Sequence, residues 1–530
     1  PDTLGMTAVP RRPTPSSPSP PGPPEGPAAG PEPPPPLGEA LRAARPFLVG
    51  IGGAGMSPLA QLLAADGLMV RGSDQQPSPN TDALRLAGVE VGFDQSETAL
   101  PDDADAVIAS AAVRPDHPQL LEAERRGVPV LGYAEALGRC QAARTAVCVA
   151  GTHGKSTTAA MLGCCLTDAG LDPAAIVGAA CRQLAAGALA PAGPTPAGAR
   201  LGARAVPLGP LAGKPGLLIA ESCEFNRSFH HHRPTIASIA NVEADHLDVY
   251  GSLDAVVEAF AEFARLIPSE SDGGRLLIGH DSAHRREIAS GLDCRVETIG
   301  YAPAAEWRVG FDESNRRVSL EGPDGARAAW TLSMPGEHNA MNSAVAAALA
   351  LAAGAEADRI GRSLSAFRGV ERRLQKLGER PHRSGGVVTV YDDYGHHPTE
   401  IDATLRALRR FERPHDRNAR LVVVFQPHQH SRTRFLLDEF ATSFEQADAV
   451  IVPHIYFVRD SQAEKHKVSS ADLVDRLRDR GVCAMHLYPF EAITEQLESL
   501  CRPGDVLVVM GAGPVWQVAR GFLDRAGPPA

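Results

Sequence analysis

The run Val149-Ala150-Gly151-Thr152-His153-Gly154-Lys155-Ser156-Thr157-Thr158 joins a glycine turn, a lysine and several hydroxyls where an apolar stretch gives way to small helix-forming residues. Such a junction suits phosphate. Backbone N–H groups of the turn and the dipole of the following helix favour an anion, Lys155 can reach a terminal phosphate, and the Ser156 hydroxyl can be offered to Mg²⁺. ATP is the expected ligand of Gly151, Thr152, His153, Gly154, Lys155, Ser156 and Thr157. The run departs from the full GxxxxGK[ST] pattern, since Val149 stands where its first glycine belongs, so these letters alone also fit an ordinary strand, turn and helix.

Other chemistry-bearing groups recur at the ends of apolar runs. Leu217 to Ala220 leads into Glu221, a candidate Mg²⁺ ligand, and Ile236 to Ala240 leads into Asn241-Val242-Glu243-Ala244-Asp245-His246-Leu247-Asp248, which crowds carboxylates beside an imidazole. Gly50-Ile51-Gly52-Gly53-Ala54-Gly55 satisfies GxGxxG, with Asp74 downstream. That pattern suits a pyrophosphate held by Gly52, Gly53, Ala54 and Gly55 while Asp74 accepts from a ribose hydroxyl or a base. A dinucleotide and the diphosphate of a UDP-sugar fit it equally. Met334 to Asn342 precedes an alanine-rich stretch, so Asn339 and Asn342 would sit near a helix start, able either to cap it or to meet a base. Arg372 and Arg373 suit phosphate or a solvated face. Asp392-Asp393-Tyr394-Gly395-His396-His397-Pro398 and Phe425-Gln426-Pro427-His428, followed by Arg432 and Arg434, bring acid, imidazole and guanidinium to two further strand ends, as an anion and amino-acid site would require. His230-His231-His232 reads as a polar loop, because adjacent side chains diverge too far to share one ion.

These groups need a scaffold of strands that end at loops. The repeating order of apolar strand, glycine turn and amphipathic helix predicts an α/β fold with parallel sheets. A strand is expected at Phe47 to Ile51, then a helix with Ser57 as its cap, Pro58 at its first position and Gly67 past its end. Leu421 to Phe425, Val450 to Val452 and Val506 to Met510, with helical spacing at Ile401, Leu405 and Leu408, predict a second doubly wound unit. Residues 1–38, rich in proline, read as a disordered tail. The Ala, Gly and Pro tract 184–214 reads as a surface insertion.

With 530 residues the chain exceeds a single core, and 43% apolar residues make it globular. A net charge of -11 leaves no basic field for nucleic acid or an anionic membrane. The nine cysteines are scattered without a CxxC pair, which argues for reduced structural thiols. No apolar run reaches the length of a membrane span, and the start lacks the regions of a signal peptide, so a cytoplasmic protein without membrane insertion is expected.

Taken in order, GIGGAGM from Gly50, GTHGKST from Gly151, NVEADHLD from Asn241, PGEHNAMN from Pro335, DDYGHHPTE from Asp392 and FQPHQHSRTR from Phe425 resemble the Mur ligase family over nearly everything after the tail. The likeness is greatest to members that join L-alanine to UDP-N-acetylmuramate. It implies three domains: a Rossmann-like UDP-binding domain at 39–144, a central P-loop ATPase domain at 145–371 and a Rossmann-like C-terminal domain at 372–530. It further implies that Lys155 meets the ATP phosphates, Ser156 and Glu221 hold one Mg²⁺ and His246 a second. Asn339 and Asn342 would lie near adenine, Arg373 near the transferred phosphate, Asp392 or Asp393 near the ribose, and His397 and Arg432 toward the amino acid. The implied reaction is formation of an acyl phosphate on the sugar carboxylate, then amide formation. Departures fall at Cys223 and Asn226, where family members often carry aspartate, and at Gln429, where many carry arginine. Three other readings remain. A ligase adding a tripeptide to the same sugar nucleotide is the nearest; an NAD-dependent oxidoreductase would leave Lys155, Glu221 and His246 without a task, and a non-catalytic nucleotide-binding scaffold would release no phosphate.

Overall fold

The computed structural model describes residues 35–525 apart from 192, 194–196 and 459. The tail expected over 1–38 lies outside the described residues up to position 34, and Leu37–Leu41 is helical, with Leu37 and Leu41 buried. Three sheets follow in chain order. The first has five parallel strands in the order Glu90–Gly92, Arg71–Ser73, Pro46–Val49, Ala106–Ala109, Val130–Gly132. Connections leave the central strand Pro46–Val49 in opposite directions, so a crevice opens beyond its C-terminal end, where the glycine loop begins at Gly50 with φ +76°.

That loop runs straight into the helix Met56–Ala65, whose N-cap is Gly55 and makes no side-chain cap bond. Ser57 is therefore not the cap expected of it: it lies inside the first turn, buried. Gly67 does fall just past the helix end, at φ +99°.

The central sheet has ten strands. From one edge they run Arg327–Thr331, Arg317–Glu321, Trp307–Asp312, Arg295–Gly300, Arg275–Gly279, Ile236–Ile239, Thr145–Ala150, Leu217–Glu221, Ala174–Cys181 and Ala197–Arg200. The interior seven pair in parallel, and antiparallel strands finish both edges. Thr145–Ala150 is buried at all six positions, as a strand covered on both faces must be. Its neighbours are Leu217–Glu221 and Ile236–Ile239, so the loop after it, Glu221 and the Asn241 loop all emerge side by side.

The tract 184–214, expected to be a surface insertion, is partly structural. Leu184, Ala188 and Val206 join the central core, and Ala197–Arg200 supplies the edge strand, with Gly198 against Pro58. Small residues allow that close approach.

The third sheet runs Gln375–Pro381, Val387–Asp393, Val506–Met510, Leu421–Phe425, Ala449–Val452, Ala484–His486, antiparallel only at its first pair. Its helix Pro398–Glu412 carries Ile401, Leu405 and Leu408 on a buried face, as their spacing predicts. All nine cysteines are free thiols. Among the described residues no helix is long and apolar enough to cross a membrane.

Candidate active site

C-terminal strand ends of all three sheets face one cavity of about 720 Å³. Ala54 and Asn80 line it from the first sheet's side, Lys155, Ser156, Glu221, Glu224, Asp245 and His246 from the central sheet, and Arg373, His396, Gln429 and Arg432 from the third. A smaller cavity of about 220 Å³ shares Gly154, Arg373 and Glu400 with it and is lined further by Asn339, Asn342, Thr157 and Asp393.

The phosphate-loop candidate has the backbone the sequence requires. Gly151 and Gly154 take φ of +133° and +83°, and a Cβ on Gly154 would collide with the Asn342 amide. The helix Lys155–Asp168 starts immediately, with its first N–H groups turned to the loop. Thr152 N–H donates to the Asn241 carbonyl at 3.0 Å, His153 N–H to Asn241 Oδ1 at 2.7 Å and Glu243 N–H to Thr152 Oγ1 at 2.9 Å, which laces the loop to the next strand end. Lys155 Nζ curls back over it, donating to the carbonyls of Gly151 at 2.6 Å and Thr152 at 2.9 Å and to Glu224 Oε2 at 2.9 Å. Burial works against that ammonium, yet Glu224 holds its pKa above the ordinary lysine value.

Two acidic groupings flank the lysine. Ser156 Oγ donates to Glu221 Oε2 at 3.0 Å, and Gly178 N–H donates to Glu221 Oε1 at 2.5 Å. Burial raises the Glu221 pKa, so a cation delivered there would relieve a desolvated carboxylate. Hydroxyl and carboxylate oxygens are the donors a hard divalent ion takes. Beside them, Glu224, Asp245 and His246 bring one ligand atom each within 4.8 Å of one another. His246 therefore groups with Glu224 and Asp245, and Ser156 with Glu221, within the same cavity. Burial lowers the His246 pKa, which keeps a lone pair available on the ring. Asp245 is buried, which works against its charge, but Arg432 and nearby histidines hold its carboxyl well below the usual range. Arg432 Nη2 donates to Asp245 Oδ1 at 2.6 Å, joining the third sheet's layer to the central one.

Several expected residues sit elsewhere than expected. Asp74 faces the glycine loop with one oxygen, Oδ2 accepting from Gly52 N–H at 2.8 Å, while Oδ1 accepts from Gln75 N–H, its own chain neighbour, at 2.7 Å, so it braces Gly52. Gly55 lies against the Tyr133 ring, where a Cβ would come within 2.7 Å. Asp392 does not line either cavity: it pairs with Arg372 Nε at 3.3 Å, and Asp393, one residue on and hence on the opposite face of the strand, lines the smaller cavity. Burial lifts the Asp393 pKa to about 6.

His397, expected to face the amino acid, is the N-cap of Pro398–Glu412. Its Nδ1 accepts from Thr399 N–H at 3.3 Å and its Nε2 lies 3.3 Å from the Ala244 carbonyl. The cavity is lined by His396 instead, which burial holds at a pKa of about 4. Asn339 and Asn342 lie one turn apart in the first half of the helix Glu337–Ala352, and Arg373 lines both cavities with its guanidinium 5.0 Å from the Tyr394 ring. Sequence reasoning missed Glu224, His396 and Glu400 as site residues. The capping pattern His397-Pro398-Thr399-Glu400 was the available signal for the last. The histidine triplet diverges as expected: His230 Nε2 lies 2.9 Å from the Ala259 carbonyl and His232 Nδ1 lies 2.8 Å from Ser222 Oγ.

Comparison with known proteins covers all three layers. The family model described as "Mur ligase family, catalytic domain" matches residues 48–145, "Mur ligase middle domain" matches 149–350 and "Mur ligase, glutamate ligase domain" matches 372–513. A UDP-N-acetylmuramate–L-alanine ligase of Streptomyces avermitilis is 36% identical over 492 residues, 91% of this chain and 97% of the relative. Another, of Rubrobacter xylanophilus, is 36% identical over 480 residues, 90% of this chain and 99% of the relative. Among solved structures, a UDP-N-acetylmuramate–alanine ligase of Thermotoga maritima superimposes with a TM-score of 0.70 at 24% identity, covering 91% of this chain and 98% of the other. A murein peptide ligase of Psychrobacter arcticus follows at a TM-score of 0.66 and 23% identity, covering 92% and 99%. At those identities the two structures speak for the fold.

Proposed function

The chain belongs to the Mur ligase family, and on that premise we propose that it joins L-alanine to the lactyl carboxylate of UDP-N-acetylmuramate with conversion of ATP to ADP and phosphate, a step of peptidoglycan precursor synthesis. The observation that carries this reading is convergence: a pyrophosphate-type loop, a triphosphate-type loop with its lysine, and a cationic wall meet at one cavity. Relatives matched over 97% and 99% of their length bear the name of that activity. Domain limits of 39–144, 145–371 and 372–530 are our assignment. Two nucleotide substrates support a cytoplasmic location.

In this reading a carboxylate oxygen of the sugar attacks the γ-phosphorus of ATP, the bond to the β-phosphate oxygen breaks, and an acyl phosphate and ADP result. The neutral α-amine of L-alanine then attacks the acyl carbon, and the tetrahedral intermediate expels phosphate and loses a proton from nitrogen. Lys155 would exchange Glu224 for phosphate oxygens, so its charge is held in place before the nucleotide arrives. Ser156 and Glu221 would hold Mg²⁺, with a second ion at His246 beside Glu224 and Asp245; bound there, Mg²⁺ supplies charge stabilisation of the transferring phosphoryl group. Asn339 and Asn342 would receive the adenine, Asp393 the ribose, and Arg373 the transferred phosphoryl group between the two cavities. Arg432 and His396 would face the amino acid, the neutral imidazole leaving room for an ammonium. Enclosure between layers excludes water that would hydrolyse the acyl phosphate.

Phosphate release should require the sugar nucleotide, L-alanine, ATP and Mg²⁺ together. Release that ignores the amino acid contradicts the proposal, and preference for the tripeptide over L-alanine would move the chain to the recycling activity.

A further inference from the structure

His153 occupies the middle of the phosphate loop and lines the smaller cavity, with its ring held between two carboxylates. Its Nδ1 lies 3.2 Å from Glu400 Oε1 and its Nε2 lies 3.4 Å from Glu243 Oε2. With a carboxylate oxygen at each nitrogen, both nitrogens donate, and the ring is an imidazolium bridging two layers of the protein. Glu243 is occupied in turn by the Thr399 hydroxyl at 2.6 Å.

Glu400 is the member with two tasks. Its Oε2 accepts from His396 N–H at 3.0 Å and His397 N–H at 3.3 Å, closing the capping box of Pro398–Glu412, while Oε1 crosses to His153. One carboxyl group thus fixes the start of a helix in the third layer and grips the phosphate loop of the central layer. His396, whose backbone it holds, lines the larger cavity. Arg373 Nη1 stands 3.9 Å from the same carboxylate.

We propose that the His153–Glu400 pair is a positioning couple that links nucleotide-loop conformation to assembly of the amino-acid wall. The proposal rests on the ligase reading for the identity of the two ligands. Glu400 lines both cavities and His153 the smaller one, and the couple works on their walls rather than as a partner in bond making. The couple acts through the loop on one side and through His396 on the other, so the acceptor site is complete only when the phosphate loop is in place.

Two variants separate this role from simple folding. Glu400→Gln retains an oxygen for the capping box but loses the charge opposite His153, and His153→Asn retains the loop's polarity but loses the second donor. Hydrogen exchange at the backbone amides of residues 396–401, with and without a non-hydrolysable ATP analogue, reads the link without any turnover. Wild type is expected to gain protection on binding the analogue, and both variants to lose that gain at a saturating concentration of the analogue, with occupancy checked by calorimetry. In steady-state assays each variant should raise the L-alanine KM about tenfold with a smaller change in the ATP KM, and the double variant should be no worse than either single one. Unchanged exchange in wild type on adding the analogue overturns the couple, as do independent, multiplying effects in the double variant. A wild type that shows the exchange response but forms no alanine product would instead strike the ligase reading. If His153→Asn does not fold, Glu400→Gln alone, with its cap retained, decides between these outcomes.

Discussion

At the scale of single residues, Lys155 and Glu221 show how buried charge is stored for a ligand. Lys155 is neutralised by Glu224 and two loop carbonyls, and Glu221 is desolvated beside the Ser156 hydroxyl. Lys155→Ala should lower kcat by about a hundred- to a thousandfold, the cost of losing one donor aimed at developing charge, while binding of UDP-N-acetylmuramate measured by calorimetry stays unchanged. Retained turnover in that variant would remove the lysine from the chemistry. Glu221→Gln should raise the Mg²⁺ concentration for half-maximal activity by about 10–100-fold, read from a metal titration of the rate. The residues that carry distinctive spacing, Gly151 to Thr157, Glu221 and His246, were visible in the sequence because each follows an apolar strand. Of Asp392 and Asp393, both offered for the ribose, only Asp393 lines a cavity, and His396 rather than His397 does so, since adjacent strand or loop residues face opposite ways and spacing alone does not say which faces in.

Elements turn these groups into a site, and their junctions are the sensitive points. Gly154 combines φ of +83° with direct contact against Asn342. Gly154→Ala should therefore cost about 1–3 kcal/mol of stability from backbone strain and raise the ATP KM, with denaturant melts and initial rates as the two readouts. His153 joins two elements through charge. Burial would depress its pKa, but Glu243 and Glu400 outweigh this and lift it to about 9 from 6.5. A folded value above the unfolded one means that the stabilisation is complete below pH 6.5 and is lost as pH rises through 9. The Tm advantage of wild type over His153→Asn should accordingly shrink between those two pH values, and a constant difference would deny the imidazolium. Strand positions and the Pro398 helix start could be read from apolar runs and capping letters. The Ser57 cap could not, because a glycine loop that enters its helix directly needs no side-chain cap, and the 184–214 tract concealed an edge strand behind small residues that pack by close approach.

For the whole molecule, three sheets present their C-terminal strand ends to one space, so the glycine loop after Gly50, the loop at Gly151 to Lys155 and the arginines Arg373 and Arg432 meet although they lie far apart in the chain. The α/β class was legible from alternating strand and helix patterns. The contacts between layers, Arg432 with Asp245 and Glu400 with His153, were not, because pairing at such sequence distance leaves no local trace. The central claim is that the γ-phosphate travels to the sugar carboxylate before the amide forms. UDP-N-acetylmuramate labelled with ¹⁸O in its lactyl carboxylate, incubated with the protein, ATP, Mg²⁺ and L-alanine, tests this through the mass of the released phosphate. One ¹⁸O atom transferred into phosphate for each amide formed is the predicted result, and phosphate free of the label alongside amide product would contradict the account.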